Sequence, residues 1–174
     1  IALNLGKAEE FPFIDPPNQR AVKDGYEILI ELDAVRRDSE KDDYVLTEKG
    51  SIMANLPLDP RFSRMLMEAD KLGCLEEMVI IVSALTISDP RERPQDKAKE
   101  ADAAQTVFKD NFSDFISLLN IWNKCQEALE NTRNSSKLRK ICTRHFISFK
   151  RMREWMDLSD QIRQMMTESG YTLS

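Results

Sequence analysis

The longest apolar pattern in the chain is the stretch SKLRKICTRHFISFKRMREWMDLSDQIRQMM, residues 136–166. Apolar residues recur in it at helical spacing, from Leu138 and Cys142 through Phe149 and Met156 to Ile162. The pattern predicts one long helix with a single buried face. If the helix is continuous, its length is about 45 Å at ~1.5 Å per residue.

The same end of the chain is strongly basic, although the whole chain of 174 residues has a net charge of -5. Between residues 133 and 155 there are eight lysines and arginines and one acid, Glu154. The cations are Arg133, Lys137, Arg139, Lys140, Arg144, Lys150, Arg151 and Arg153. Such a local excess of one charge is typical of a surface that binds a polyanion.

On a continuous helix these cations border the buried face in two rows. One row is Lys137, Lys140, Arg144 and Arg151, and the other is Arg139, Lys150 and Arg153. Cations on a rigid helix can contact successive phosphates of a single strand without choosing a sequence. The alternative is a solvated face, because long helices also carry lysine and arginine for solubility.

The first part of the chain predicts a helix followed by a β-hairpin. Apolar residues recur at helical spacing over residues 17–32, after Pro16 and Pro17, which the first turn of a helix tolerates. Two short β-type runs, at residues 34–36 and 44–46, then flank a polar segment. A helix and a hairpin in this order indicate a winged-helix element.

Further helices are predicted on both sides of a short linker. Thr47 is a candidate cap for one helix, and Pro60 begins another that stops at Gly73. A helix buried on several sides follows at residues 75–85. The stretch 89–94 holds two prolines among charged residues, so it is interpreted as a linker. We therefore predict a mainly α fold, with a winged-helix-like subdomain at residues 1–88 and a helical bundle at residues 89–174.

Several classes of function have no support in the sequence. A glycine-rich phosphate-binding loop is missing, so this stretch is not expected to hydrolyse ATP or to bind a cofactor. The cysteines Cys74, Cys125 and Cys142 are widely spaced, which favours reduced packing residues over a zinc site. Because there is no apolar run long enough to span a membrane and no secretory leader, we expect a cytoplasmic protein without a membrane partner.

Three motifs carry a resemblance to a known family: LPLDPR at residues 56–61, SDPRERP at 88–94 and RMREW at 151–155. The stretches FPFIDPP at residues 11–17, LTEKG at 46–50, FSDF at 112–115 and LLNIWN at 118–123 agree with them. In this order and at these distances, the motifs resemble the region that follows the two motor domains of bacterial DEAH-box ATP-dependent RNA helicases of the HrpA type. The resemblance covers nearly the whole chain.

The resemblance implies that the chain is an excerpt from a longer enzyme, namely its winged-helix and ratchet region. ATP and magnesium would bind to two RecA-like motor domains elsewhere in the parent protein. The excerpt would be a non-catalytic accessory region beside those domains and an oligonucleotide-binding domain. It would help to form a channel for single-stranded RNA and would couple ATP-driven motion of the motor domains to translocation of the strand.

The resemblance also implies a role for the basic cluster, and two further pairs of arginines are candidates from their positions in the sequence. Contact with RNA or DNA is expected from Lys137, Arg139, Lys140, Arg144, Lys150, Arg151 and Arg153. Arg61 and Arg64 are candidates for an interdomain salt bridge. Arg91 and Arg93 either reach RNA or a motor domain, or pair with neighbouring acids and carbonyls to hold the linker. The acids next to them favour the second account.

Two other functions fit the same elements. A free-standing transcription regulator also has a helix, a hairpin and further helices, but residues 17–32 carry only Arg20 and Lys23 against three acids. That balance disfavours reading of a DNA major groove. A helical protein-interaction scaffold needs only apolar faces. Salt-dependent binding to a single strand distinguishes the helicase region from the scaffold, and a preference for duplex would indicate the regulator.

The histidine and the tryptophans lie at apolar helical positions. We interpret His145 as a hydrogen-bonded packing residue rather than a base, because nothing in the sequence links it to a nucleophile. We interpret Trp122 and Trp155 as core residues rather than platforms for base stacking.

Overall fold

The computed structural model describes residues 1–3, 6–8, 11–38, 43–130 and 135–173. These residues form eight α-helices and one two-stranded antiparallel sheet, so the predicted mainly α fold is confirmed. The chain divides into two compact units, Ile1–Glu68 and Ala69–Ser174. Within the described ranges, no helix combines the length and the apolar character that crossing a membrane requires.

The first unit begins with an amphipathic helix. Helix α1 (Gln19–Glu31) starts where the side chain of Asn18 accepts a hydrogen bond of 2.7 Å from a backbone N–H of the first turn. Its residues Val22, Tyr26 and Leu29 are half-buried along one face.

The hairpin follows directly. Asp33, with a φ of 56°, turns the chain into β1 (Val35–Asp38), which pairs with β2 (Asp43–Leu46). The residues between the two strands lie outside the described ranges. The ring of Tyr44 on β2 stacks on that of Tyr26 on α1, with centroids 4.3 Å apart. The predicted order of a helix followed by a hairpin is therefore confirmed.

Helices α2 (Glu48–Asn55) and α3 (Pro60–Leu72) come next, with the caps that the sequence predicts. The hydroxyl of Thr47 accepts a hydrogen bond of 2.9 Å from a backbone N–H in the first turn of α2. The same hydroxyl donates a hydrogen bond of 2.6 Å to the carbonyl of Asp33, which joins the start of α2 to the turn after α1. Gly73 ends α3 with a φ of 68°.

The second unit is a helical bundle around one core. Its helices are α4 (Leu75–Thr86), α5 (Ala98–Gln105), α6 (Asp114–Glu130), α7 (Ser135–Arg144) and α8 (Phe149–Glu168). Helix α4 packs against α6 and α8, and α7 packs against the same two helices. The core consists of Ile80, Ala84, Phe108, Leu118, Ile121, Trp122, Cys125, Leu138, Cys142, Ile147, Met152, Trp155 and Met156.

The sequence predicts that the second subdomain begins at Asp89. The first compact unit ends earlier in the chain, at Glu68. Helix α4 accounts for the difference, because its residues Ile80 and Ala84 belong to the core of the second unit. The stretch 89–94 therefore connects α4 to α5 inside that unit.

The prediction of one continuous helix over residues 136–166 is wrong. The chain leaves α7 after Arg144 and starts α8 at Phe149. Between them, Phe146 has a φ of 53° and Ile147 forms an antiparallel β-bridge with Arg91. Ile147 is buried although it lies about two and a half turns after Leu138 at ~3.6 residues per turn, where a continuous helix would have placed it opposite the buried stripe. The pairing with residues 90–92 supplies backbone hydrogen bonds that a helix would have made. The two predicted rows of cations do not extend across this break.

Candidate nucleic-acid interface

Helix α7 carries four of the predicted cations and no acid. Lys137, Lys140 and Arg144 are exposed and follow one another at helical spacing along one side, while Leu138 and Cys142 are buried. Residues at this spacing have Cβ atoms about 5–6 Å apart. In the part of the chain that the structure describes, these three cations have no acidic partner. We call Lys137, Lys140 and Arg144 the α7 row.

A shallow groove between α6 and α7 borders the α7 row. Lys137 and Lys140 line it from α7, and Lys124 and Glu127 line it from α6. The Nζ of Lys124 lies 3.0 Å from the Glu127 carboxylate, which partly neutralises its charge. The sequence did not indicate Lys124 as a site residue, because only the packing of α6 on α7 places it there.

Arg139 lies at the opposite border of the buried stripe of α7. Its guanidinium carbon is 4.3 Å from the centre of the Phe149 ring, which is a cation–π contact. Because Phe149 begins α8, the contact joins the ends of the two helices. Arg139 is nevertheless exposed, so its N–H groups remain accessible to solvent.

The three cations of α8 that the sequence predicts as contacts lie in three different environments. Lys150 is highly exposed and lies 3.7 Å from Glu154, one turn further along the helix. Arg151 is half-buried and donates a hydrogen bond of 2.9 Å to the backbone carbonyl of Asp89. Arg153 is exposed and has no acidic partner within the described ranges. The structure therefore gives Arg151 a hydrogen bond to the protein itself, whereas within the described ranges no ion pair with an acid holds the α7 row.

The linker arginines pair with acids of the same unit. The guanidinium of Arg91 donates to both carboxylate oxygens of Asp89, at 3.0 and 2.7 Å. Arg93 does the same with Asp102, at 2.7 and 2.8 Å. This geometry agrees with the structural account that the sequence favours for the two arginines.

The two ion pairs lower the pKa of both acids. Burial by itself would raise the pKa of Asp89, but the side-chain and backbone hydrogen bonds from Arg91 outweigh it and hold that pKa below its usual value. The hydrogen bond from Arg93 likewise lowers the pKa of Asp102. Both carboxylates are therefore charged at neutral pH.

Arg61 and Arg64 lie in the first turns of α3. The Nη1 atom of Arg64 is buried and lies 3.3 Å from the carboxylate of Glu68, without the geometry of a hydrogen bond. Arg61 is exposed, and its backbone N–H donates to the side chain of Asp59 at 2.8 Å. An interdomain salt bridge from either arginine stays a prediction.

The histidine and the tryptophans have the packing roles that the sequence indicates. The Nδ1–H of His145 donates a hydrogen bond of 2.9 Å to the carbonyl of Ala104, and the His145 ring meets Phe108 edge-on. Trp122 and Trp155 are both buried, with ring centroids 5.2 Å apart.

The cysteines are reduced. Cys125 and Cys142 are buried and Cys74 is half-buried. The hydrogen bond with Cys142, together with burial, raises the pKa of the Cys125 thiol, which makes it unreactive. The described residues contain no cluster of three or more His, Cys, Asp or Glu that could hold a metal ion.

Comparison with known proteins identifies the family. The family model described as helicase associated domain (HA2), ratchet-like, matches residues 59–160. The chain is 41% identical over 169 residues to the ATP-dependent RNA helicase HrpA of Escherichia coli K12, which covers 97% of this chain and 13% of that protein. It is 41% identical over 175 residues to the HrpA homologue of Haemophilus influenzae, covering 99% and 13%.

A eukaryotic relative matches less closely. The pre-mRNA-splicing factor ATP-dependent RNA helicase prp22 of Schizosaccharomyces pombe is 29% identical over 170 residues, covering 95% of this chain and 13% of that protein. The chain thus spans about an eighth of the length of these relatives. The matched family region includes α7 and the start of α8, with every residue predicted to contact RNA. The chain belongs to the ratchet-like helicase associated domain (HA2) family, in the form found in HrpA-type DEAH-box RNA helicases.

Proposed function

We propose that the chain is a non-catalytic accessory region of a longer ATP-dependent RNA helicase, and that it helps to form the channel for single-stranded RNA. The observation that carries the proposal is the α7 row: Lys137, Lys140 and Arg144 are exposed and have no acidic partner among the described residues. Family membership supports it, as do the relatives, each of which is named as an ATP-dependent RNA helicase.

The row suits the backbone of a single strand. Three long cationic side chains whose successive Cβ atoms lie about 5–6 Å apart on one helix can each meet a phosphate. Phosphate contacts give affinity without sequence choice, which is what a protein that moves along RNA requires. Helix α7 packs on α6 and α8 through buried Leu138 and Cys142, so the row stands on a fixed support.

The remaining parts of the helicase perform the hydrolysis. In this proposal two RecA-like motor domains bind ATP and magnesium, and an oligonucleotide-binding domain closes the channel on another side. The first unit, with its helix and hairpin, docks on a motor domain, with Arg61 and Arg64 available for salt bridges to it. The bundle of the second unit then transmits motor-domain motion to the bound strand.

The test is charge reversal of the α7 row in the full-length helicase. Lys137→Glu, Lys140→Glu and Arg144→Glu together remove three phosphate contacts. The slope of log K against log salt for a single-stranded RNA should therefore become shallower by about 2, because each contact to a single strand contributes roughly 0.7. Unwinding should fall, while ATP hydrolysis without RNA should stay close to that of the unmodified enzyme.

A matched control reverses three exposed lysines elsewhere in the same unit, namely Lys97, Lys99 and Lys109. This variant carries the same change in net charge, so it should bind RNA with nearly the original salt dependence. Equal losses in the two variants would mean that net charge alone matters and would contradict the proposal. Absence of salt-dependent binding to a single strand would indicate the protein-interaction scaffold, and preference for a duplex competitor would indicate the regulator.

A further inference from the structure

The corner between α7 and α8 is held by a segment from far earlier in the chain. The backbone N–H of Glu92 donates to the carbonyl of Phe146, and the N–H of Ser148 donates to the carbonyl of Pro90, each at 2.7 Å. These two hydrogen bonds flank the β-bridge between Arg91 and Ile147. We call the paired segments, residues 89–93 and 146–148, the corner strap.

A side chain from α5 joins both halves of the corner strap. The Nε2 of Gln105 donates to the carbonyl of Glu92 at 3.0 Å and to the carbonyl of Phe146 at 3.1 Å. Gln105 is half-buried and uncharged. Its two N–H groups satisfy two backbone acceptors that belong to different segments, so its side chain fixes their separation.

Helix α8 is joined to the corner strap through Arg151. Its Nη1 donates a hydrogen bond of 2.9 Å to the carbonyl of Asp89, whose carboxylate in turn holds Arg91. Pro90, between these residues, is completely buried. The linker is therefore an ordered part of the bundle. Its backbone carbonyls accept hydrogen bonds, the carboxylate of Asp89 pairs with Arg91, and the ring of Pro90 is buried.

The direction of α7 depends on this arrangement. In a continuous helix, the backbone itself would fix the cations of α7 relative to α8. Here the helix is interrupted at Phe146, where φ is 53°, so contacts outside the helices decide the angle between them. The strap hydrogen bonds and the contact between Arg139 and Phe149 are such contacts at the corner itself, and they act together with the packing of α7 in the core.

We propose that Gln105 and Arg151 are positioning residues that hold the corner strap, and through it the α7 row, in the orientation that binds RNA. The inference rests on the proposed function, since it explains how the row is aligned. It removes Arg151 from the set of direct phosphate contacts and adds Gln105, for which the sequence contains no signal.

The test uses three variants of the full-length helicase. Gln105→Met keeps the length of the side chain and removes both donors. Arg151→Gln and Lys140→Gln each remove one positive charge, one from α8 next to the corner strap and one from the α7 row. For each variant we would measure the affinity for a single-stranded RNA oligonucleotide of mixed sequence, its salt dependence, and hydrogen exchange in peptides containing Glu92 and Ser148.

The expected results separate positioning from contact. Gln105→Met should weaken RNA binding by roughly three- to tenfold, about the net contribution of one hydrogen bond, with an unchanged salt slope and faster exchange at Glu92 and Ser148. Lys140→Gln should make the slope shallower by about 0.7 without faster exchange. Arg151→Gln should leave the slope unchanged, although it also removes one charge, and should speed exchange.

Each contrary result has one meaning. Unchanged RNA affinity in Gln105→Met, or unchanged exchange at the strap, overturns the positioning role of Gln105. A slope shallower by about 0.7 in Arg151→Gln makes Arg151 a phosphate contact and overturns its positioning role. If Lys140→Gln alters neither affinity nor slope, the proposed function itself fails, whatever the strap variants do.

Discussion

The indole Nε1–H of Trp155 on α8 donates a hydrogen bond of 2.8 Å to the backbone carbonyl of Ile80 on α4. Trp155 is fully buried, and its ring also contacts that of Trp122 on α6. One side chain therefore joins three helices of the second unit. This contact explains why α4 belongs to the bundle even though the stretch 89–94 follows it in the chain.

Trp155→Phe should lower the free energy of unfolding by about 1–3 kcal/mol, because it removes a buried hydrogen bond and leaves a small cavity. Chemical denaturation followed by circular dichroism measures the change. The control is Phe112→Ala, since Phe112 is 98% exposed and its removal should cost less than about 0.5 kcal/mol. A similar loss of unfolding free energy in both variants would show that the indole of Trp155 does not join the three helices as described.

Gly50→Ala should destabilise the first unit. Gly50 is buried in α2, and a Cβ there would overlap the backbone carbonyl of Ala34, so the hairpin and the helix would have to separate. Since backbone atoms must move, the expected loss is about 1–3 kcal/mol. The loss should be measurable as a lower thermal midpoint and as faster limited proteolysis of the first unit.

Gly25→Ala is the matched control for that substitution. Gly25 is in α1, and a Cβ there would meet no atom within 4 Å. Alanine is the better helix former, so this variant should gain roughly 0.5–1 kcal/mol. Destabilisation of equal size at both positions would contradict the close approach of α2 to Ala34.

Acid should weaken the corner strap through Asp89. The hydrogen bonds from Arg91 lower the pKa of this carboxyl in the folded protein. The ionised carboxylate therefore contributes fully to stability at pH values above its pKa in the unfolded chain, about 3.9. That contribution is lost as the pH falls through the lower, folded pKa. The thermal midpoint should therefore fall between pH 7 and pH 3 by more in the unmodified protein than in Asp89→Asn, which cannot ionise. If the two proteins lose the same number of degrees, the ion pair with Arg91 contributes nothing measurable.

The elements that the sequence predicted well are those with local signals. Thr47 and Pro60 mark helix starts, Gly73 marks an end, and the helix before the hairpin has its own apolar face. Each signal acts within a few residues, through a capping hydrogen bond or a restricted φ angle. The packing roles of Trp122, Trp155 and His145 could also be predicted, because their positions follow the apolar period.

The break between α7 and α8 had no capping or backbone signal, because the residues His145 to Ser148 include neither glycine nor proline. Ile147 lies about two and a half turns after Leu138 at ~3.6 residues per turn, so a continuous helix would have placed it opposite the buried stripe. One apolar residue off the stripe does not by itself predict a break, since single exposed apolar residues are common. What interrupts the helix is a β-bridge to Arg91, a residue in a distant part of the chain. The different environments of Arg151 and the α7 row follow from the same bridge, so sequence spacing could not distinguish them.

By itself, the sequence determined the mainly α class, the helix and hairpin of the first unit, the excess of positive charge near the carboxyl end and the family to which these belong. Those properties depend on residue type and on spacing along the chain, because they arise from interactions between residues that are close in sequence. Only the tertiary structure decided which cations have no acidic partner within the described ranges and which one hydrogen-bonds to the linker. Charge and periodicity say that a residue reaches solvent, but the hydrogen-bond partner of an arginine depends on which backbone carbonyl the fold brings within 3 Å of it.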